Sequence, residues 1–442
     1  MSQELLERAW EAVREAQKRG VQGVRAGVRR VRTSAVEWRD GQLDRLREST
    51  EQGLSLDLFV DGRYSSHATS DLRPEALSAF LDECVAMTRV LARDEHRKLP
   101  EPDRYQGRHA GDLGLLDEAG ARGIGPADRR RWAAELEAAT RAGEGAAELV
   151  SVSTGWSDNL GESALVCSNG MEGTRRSSSF SRWASCSVRD EAGRRPDGSW
   201  YATGRRRDRL LGPQEIGQEA LRRALRLRGS RPEGSGEYAC VIENSVAGRL
   251  LANLLAPLYG HAIQQKRSFL ADKLGAQVAA PCLSLLDDPL LPGGLASQTY
   301  DGEGMRAERR PVFDQGVLRS FFLDTYYASK LGQPATTGGP SNLVFTPGER
   351  DLEGLLGAME RGLLVTGFSG GNSNSATGDF SIGVKGLWVE GGKPVRPISE
   401  MNLAGNHLTF WTRLAELGND PYPFSSTRSP SMRFEPVQFS GT

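Results

Sequence analysis

Apolar residues recur at helical spacing at the start of the chain. Leu5, Ala9, Ala12 and Ala16 fall on one face, which predicts a helix over roughly Gln3 to Lys18. The period then changes. Val24, Ala26 and Val28 alternate with arginines, and Leu54, Leu56, Leu58 and Val60 alternate with polar residues or Phe59. A period of two puts one face of a strand in a core. Asp61-Gly62 is a two-residue hairpin signal leading into Arg63–His67. Residues 20–70 therefore read as an antiparallel meander behind a helix.

A second helix is expected to start near Asp71 as N-cap, with Pro74 in its first turn and Leu77, Phe80, Leu81, Cys84, Val85 and Leu91 at helical spacing. The polar, Pro/Gly-rich stretch 94–111 reads as a loop, and another helix is expected from about Ala127 to Ala142. Strand patterning resumes at Glu148, with Ser168-Asn169-Gly170 as a hairpin and a long amphipathic strand to Val188. A helix from about Pro213 to Leu227 is followed by Gly-Ser-Arg-Pro-Glu-Gly-Ser-Gly at 229–236, a linker signal. After a strand at Glu237–Asn244, one long helix is expected over about Ser245–Ile263, and short strands with glycine-rich turns follow. The expected class is α+β, because strands and helices do not alternate as βαβ units. The expected organisation is an N-terminal domain of helices and antiparallel sheet over 1–228, a linker over 229–236, and a β-rich domain with one long helix over 237–442.

Composition narrows the function classes. Fifty-six Lys+Arg against 57 Asp+Glu give a formal net charge of -1, which supplies no electrostatic pull towards nucleic acid or an anionic membrane. The basic cluster Arg205, Arg206, Arg207 and Arg209 includes Asp208 and has no interleaved aromatics, so it reads as a solvated face. The five cysteines are dispersed and form no CxxC pair, as in a reducing compartment. The N-terminal helix lacks the apolar core of a signal peptide, and no run approaches the ~20 apolar residues of a membrane span. A soluble cytoplasmic protein is expected.

The five histidines are His67, His96, His109, His261 and His407, and no two stand at a metal-ligand spacing. No HExxH or GxxxxGK[ST] occurs. His67, His96 and His109 read as exposed or hydrogen-bonded imidazoles, and His407 as a helix-start or packing residue. Asp301 and Glu303, between glycines, fit acid/base or cation chemistry, or a turn whose carboxylates cap backbone N–H groups; the turn is the simpler reading. The run Gly367–Ser381 combines glycines with Asn, Ser and Thr. It suits a phosphate or peptide site, and equally a tight loop in a packed β domain.

That run, continuing into Gly383-Val384-Lys385-Gly386-Leu387-Trp388-Val389, resembles the C-terminal signature of the TldD/PmbA (TldE) family. Tyr300-Asp301-Gly302-Glu303-Gly304 resembles the family's F-D-x-E-G turn. Phe313–Leu318, the segment Phe322–Ala328, Leu417–Asp420 and Ser429-Pro430-Ser431 follow in the family's order. The resemblance implies a zinc metallopeptidase ancestry, with an HExxxH helix and a downstream cysteine holding a metal-bound water. The corresponding positions here are Ala256-Pro257-Leu258-Tyr259-Gly260-His261. Ala256 replaces the first ligand, and Pro257 replaces the general base and should disturb the helix, leaving only His261. No cysteine lies beyond Cys282, and Pro421–Thr427 stands where the catalytic subunit has its Cys-Gly segment.

The resemblance therefore implies a non-catalytic, TldE/PmbA-type subunit with no metal of its own. Zinc is expected in a TldD-like partner forming a heterodimer, and the substrate is an unstructured peptide enclosed between the subunits. Asn372, Asn374, Thr377, Gly378 and Asp379 are the candidate peptide or interface residues. Two alternatives are weighed beside this reading: a self-associating peptide-binding homodimer, and an independent hydrolase pairing His261 with Asp301 or Glu303.

Overall fold

The computed structural model describes residues 2–191 and 193–441. The α+β class expected from the sequence holds. Helix α1 (Ser2–Lys18) buries Leu5, Ala9, Ala12 and Ala16 completely. Three strands follow, β1 (Gly23–Arg39), β2 (Gln42–Val60) and β3 (Arg63–Thr69), paired antiparallel. Asp61 (φ 50°) and Gly62 (φ 74°) turn the β2–β3 hairpin with two left-handed residues, the conformation that matches strand twist. Helix α2 (Pro74–Arg89) starts two residues later than the Asp71 cap predicts. Arg73 is the N-cap residue, and the Asp71 carboxylate instead accepts from the Arg73 backbone N–H and guanidinium. Bidentate pairing with Arg73 outcompetes a reach to the helix end.

Helices α3 (Glu118–Ala121) and α4 (Pro126–Arg141) lead to β4 (Leu149–Cys167), β5 (Met171–Val188), β6 (Asp197–Gly204) and helix α5 (Pro213–Leu225). The six strands form one antiparallel sheet in the order β3-β2-β1-β4-β5-β6. Helices α1, α2, α4 and α5 all pack on one face, over Val24, Ala26, Val28, Leu54, Leu56, Val152 and Val166. The opposite face carries Ser153, Ser157, Asn159 and Ser163 on β4, opposite Ser185, Ser181, Ser179 and Arg175 on β5. Most of that face stays half-buried, without a helical layer among the described residues.

The rest of the chain builds two further sheets. Strands β7 (Gly236–Ile242), β12 (Arg361–Ser373), β13 (Asp379–Glu390), β14 (Lys393–Asn406), β15 (Leu414–Leu417) and β17 (Met432–Ser440) form a six-stranded sheet, order β14-β13-β12-β7-β17-β15. Strands β8 (Leu285–Asp287), β9 (Arg310–Asp314), β10 (Val317–Leu318), β11 (Leu343–Phe345) and β16 (Thr427–Arg428) form a smaller one. Short helices α8 (Thr325–Leu331), α9 (Leu352–Gly357) and α10 (His407–Phe410) fill the connections. One large core joins the two sheets and includes Leu250, Leu254, Phe313, Phe322, Trp388 and Phe434.

The helix expected over 245–263 is divided. Helix α6 covers Asn244–Leu255, a 3-10 turn covers Ala256–Leu258, Tyr259 is extended (φ -74°, ψ 141°), and α7 restarts at Gly260 and ends at Gln264. Pro257 has no N–H to donate and obstructs a helix interior. The freed backbone pairs elsewhere: Gly260 N–H donates to Phe322 O at 2.9 Å, and Phe322 N–H to Leu258 O at 2.9 Å.

Candidate functional site

The positions that the resemblance sets against the HExxxH motif, Ala256, Pro257 and His261, lie at this break. Ala256 is the C-cap of α6 and Pro257 is buried in the 3-10 turn, while His261 stands exposed in the first turn of α7. The His261 ring has Tyr259 (5.7 Å between centroids) and Tyr327 (6.3 Å) as neighbours. A Cβ at Gly260 would come within 2.5 Å of Tyr327 Cβ, so a glycine is required where α8 crosses. Zinc needs at least three protein donors for a catalytic site. An alanine, a proline and one imidazole do not meet that, and among the described residues no three His, Cys, Asp or Glu side chains are grouped to hold a metal. The 421–427 tail carries Tyr422, which is buried against Trp200 (5.6 Å) and Tyr201 (5.7 Å) of β6.

Asp301 and Glu303 do not meet His261. Asp301 Oδ1 accepts from the N–H groups of Glu303 (2.9 Å) and Met305 (3.0 Å), and Oδ2 accepts from the Thr337 hydroxyl (3.2 Å). This is the capped turn. Glu303 does more: Oε1 takes Arg25 Nη1 at 3.2 Å, and Oε2 takes the Thr325 N–H (2.7 Å) and hydroxyl (2.8 Å). Arg25 also donates from Nε to Asp57 at 2.7 Å, whose other oxygen accepts from Tyr64 OH at 2.8 Å. Burial and the Asp57 charge push the Tyr64 phenol up to about 12. This chain of groups, mostly buried, ties the first sheet to the second half of the chain. Only the alternating arginines of β1 hinted at it in the sequence.

The run Gly367–Ser381 closes the β12–β13 hairpin. Asn374 Oδ1 accepts from Ala376 N–H (2.9 Å), and the Thr377 hydroxyl donates to Asp379 Oδ2 (2.7 Å). Asn406 Nδ2 donates to Thr377 O and Asp379 Oδ1, both at 2.9 Å. Gly378 (φ 86°) takes a conformation that favours glycine, with its carbonyl accepting from His407 N–H at 2.8 Å. Thus Asn374, Thr377, Gly378 and Asp379 are brought together, with their polar groups engaged in the turn. Asn372 is exposed on the approach. With Arg267, Ser373 and Ser381 the hairpin lines a groove of about 760 Å³. Behind it lies His407, fully buried between Phe380 (4.5 Å) and Phe269 (5.7 Å) and held neutral by burial, its pKa lowered to about 4. Packing and a helix start were both expected there, and Asn406 caps the short helix that His407 begins. His67 and His96 are hydrogen-bonded, to Ser65 and Ser329.

With this geometry in view, three stretches match the PmbA/TldA metallopeptidase family: domain 1 over residues 24–88, the central domain over 121–228 and the C-terminal domain over 235–441. The chain belongs to the PmbA/TldD family. It is 28% identical over 427 residues to the metalloprotease PmbA of Escherichia coli O157:H7, spanning 95% of this chain and 92% of that protein. Its fold matches the crystal structure of a proposed modulator of DNA gyrase from Bacteroides thetaiotaomicron, with TM-score 0.94 and 40% identity over 99% of this chain and 98% of that one. TldE from Thermococcus kodakarensis shares the fold, with TM-score 0.86 and 20% identity over 98% and 100% of the two chains. No helix among the described residues is long and apolar enough to cross a membrane.

Proposed function

We propose that this chain is the non-catalytic partner subunit of a TldD/TldE-type zinc peptidase complex that degrades or trims unstructured peptides. The observation that carries this reading is the segment 256–261, where two of the family's metal and proton-transfer positions hold Ala256 and Pro257 and the helix itself is interrupted. Nothing there polarises a water molecule or removes its proton. Zinc belongs to the partner on this reading. The first sheet supports association, since its hydroxyl-rich face, apart from the end under Tyr105 and the 300–303 turn, lacks a helical layer among the described residues. A related subunit would enclose that face, and peptide would be held through backbone hydrogen bonds with little sequence preference. Asn372, Asn374, Thr377, Gly378 and Asp379 are assigned to the subunit interface or the peptide path, as parts of a rigid turn. The five cysteines are all free, in keeping with work in the cytoplasm.

The uncovered face would serve a second copy of the chain equally well, so a homodimeric peptide-binding module is the second reading. The hydrolase pairing of His261 with Asp301 or Glu303 has no geometric support, because both carboxylates are engaged elsewhere. Metal analysis and peptidase assays, on the purified chain alone and mixed with a partner bearing an intact HExxxH, test the proposal. Cleavage is expected only in the mixture, with zinc in the partner. One zinc per chain together with peptide cleavage by the chain alone would overturn it, and peptide binding by a homodimer that never engages such a partner would favour the second reading.

A further inference from the structure

The uncovered face of the first sheet is not uniform. Strand register places Gly53, Arg29, Ser163 and Arg175 side by side in one row across β2, β1, β4 and β5. Residues directly opposite one another share a face, so both arginines lie on the uncovered side, about two strand spacings or ~10 Å apart, with only the small Ser163 between them. The Arg29 side chain is exposed and has no ion pair or hydrogen bond among the described residues. Arg175 lies over the Tyr300 ring (3.8 Å to the centroid) and donates one hydrogen bond to Asp301 O at 3.3 Å. Gly173 gives Tyr300 its seat, since a Cβ there would lie 2.7 Å from the ring.

The same row ends at an open edge. Strand β3 pairs only with Leu54–Val60 of β2, so Gln42–Gly53 is paired to β1 on one side and to no strand on the other among the described residues. A groove of about 1040 Å³ occupies the space where β3 stops, lined by Thr50–Ser55 of the edge, Ala68–Ser70, the two arginines and the 300–302 turn. Its two carboxylates are occupied: Glu51 pairs with Arg47 at 3.4 Å, and Asp301 is turned into its own loop. The groove therefore offers unpaired backbone groups along one wall and one unpaired guanidinium, that of Arg29, on its floor, while Arg175 is held on Tyr300 beside Asp301. An extended backbone satisfies the wall, and a carboxylate satisfies the floor.

We propose that this groove binds an extended acidic peptide segment, which continues the line of β3 along β2 and places a carboxylate across Gly53 onto Arg29. The inference rests on the reading of the chain as a peptide-handling subunit and adds a substrate preference to it. Strand addition supplies affinity independent of sequence, and Arg29 selects for Asp or Glu at the position of the peptide that faces Gly53.

Fluorescein-labelled unstructured peptides of equal length, acidic, neutral and lysine-rich, are titrated onto the full-length chain at low and high salt with anisotropy as readout. The acidic peptide is expected to bind about tenfold more tightly than the neutral one, the value of one good charge-assisted contact, and to weaken with salt. Arg29→Ala should remove most of that difference and Arg29→Glu should reverse the order; Arg29 is exposed and unpaired, so both variants fold. An acidic peptide N-methylated at alternate residues should lose binding. Equal affinity for all three peptides, or indifference to Arg29→Glu, overturns the acidic preference while leaving peptide handling intact. Binding of none of them overturns both readings. A single-stranded oligonucleotide binding as well as the acidic peptide also overturns the inference, because bare charge then explains the result.

Discussion

Ser373 Oγ lies 3.0 Å from Nε2 of His407, while Nδ1 of the same ring accepts a hydrogen bond from the Trp411 indole N–H at 3.2 Å. A serine at hydrogen-bond distance from a histidine suggests a nucleophile and its base. The indole decides otherwise. Trp411 can only donate, so Nδ1 is the unprotonated nitrogen and the neutral ring carries its proton on Nε2. His407 therefore donates to Ser373 and has no lone pair free to take the hydroxyl proton. A fluorophosphonate probe is expected to leave Ser373 unlabelled by mass spectrometry of the digested protein, and Ser373→Ala should leave peptide cleavage by the reconstituted complex within about twofold. Stoichiometric labelling at Ser373 would refute this assignment.

The same ring makes stability depend on pH. Burial lowers the His407 pKa from its ordinary 6.5 to about 4, so the folded protein resists a proton that the unfolded chain accepts. Below about pH 6.5 the unfolded state binds more protons, and the stabilising contribution is lost progressively until the folded-state value near 4. Across that window the loss amounts to about 3 kcal/mol. His407→Gln, which keeps hydrogen-bonding capacity and removes the titration, should flatten the profile. Urea denaturation between pH 7.5 and 4.5 checks this: the difference in slope between wild type and variant must be largest between pH 6.5 and 5, and parallel curves would contradict it.

The first sheet was legible because its strands run 17 to 19 residues in β1, β2 and β4, long enough for the period of two to stand out from arginines and serines. The family was legible as ordered motifs, and Ala256 and Pro257 were read there from residue identities alone. What escaped lies in relations that no local window contains. Pro257 already signalled a disturbed helix, but the exact restart after Tyr259 depends on backbone pairing with the distant Phe322. Arg25 and Glu303 are 278 residues apart in the chain. The Gly53–Arg29–Ser163–Arg175 row exists only once four strands are in register, and alternation alone does not fix register.

Arg25 links Asp57 on the first sheet to Glu303 in the second half of the chain, and all three side chains are at least four-fifths buried. Arg25→Met removes the cation and leaves two carboxylates facing each other in a poorly solvated space. Breaking a buried pair by deleting one partner costs about 3–5 kcal/mol. Denaturant unfolding should show a loss of that order, and the Arg25→Met/Glu303→Gln double variant should recover part of it, because Gln still accepts from Thr325. A single variant as stable as wild type would mean that solvent reaches the cluster.

The interruption at Tyr259 gives the last prediction. Ala256→His with Pro257→Glu restores the letters of the HExxxH motif, yet the expected outcome is no zinc retained after dialysis. Two imidazoles are one donor short of a catalytic site. The ligand that the family takes from its tail is replaced by a loop whose Tyr422 is packed on Trp200 and Tyr201. The backbone adds a second obstacle, since positions 256 and 261 belong to different helices, held apart by the pairing of Leu258 and Gly260 with Phe322. Removing Pro257 does not remove those two hydrogen bonds. Metal content by plasma emission spectroscopy, with circular dichroism to confirm folding, measures the result. One tightly held zinc per chain in the double variant would show that the two substitutions alone had silenced the site, and that the surrounding fold still had the geometry of a working metallopeptidase.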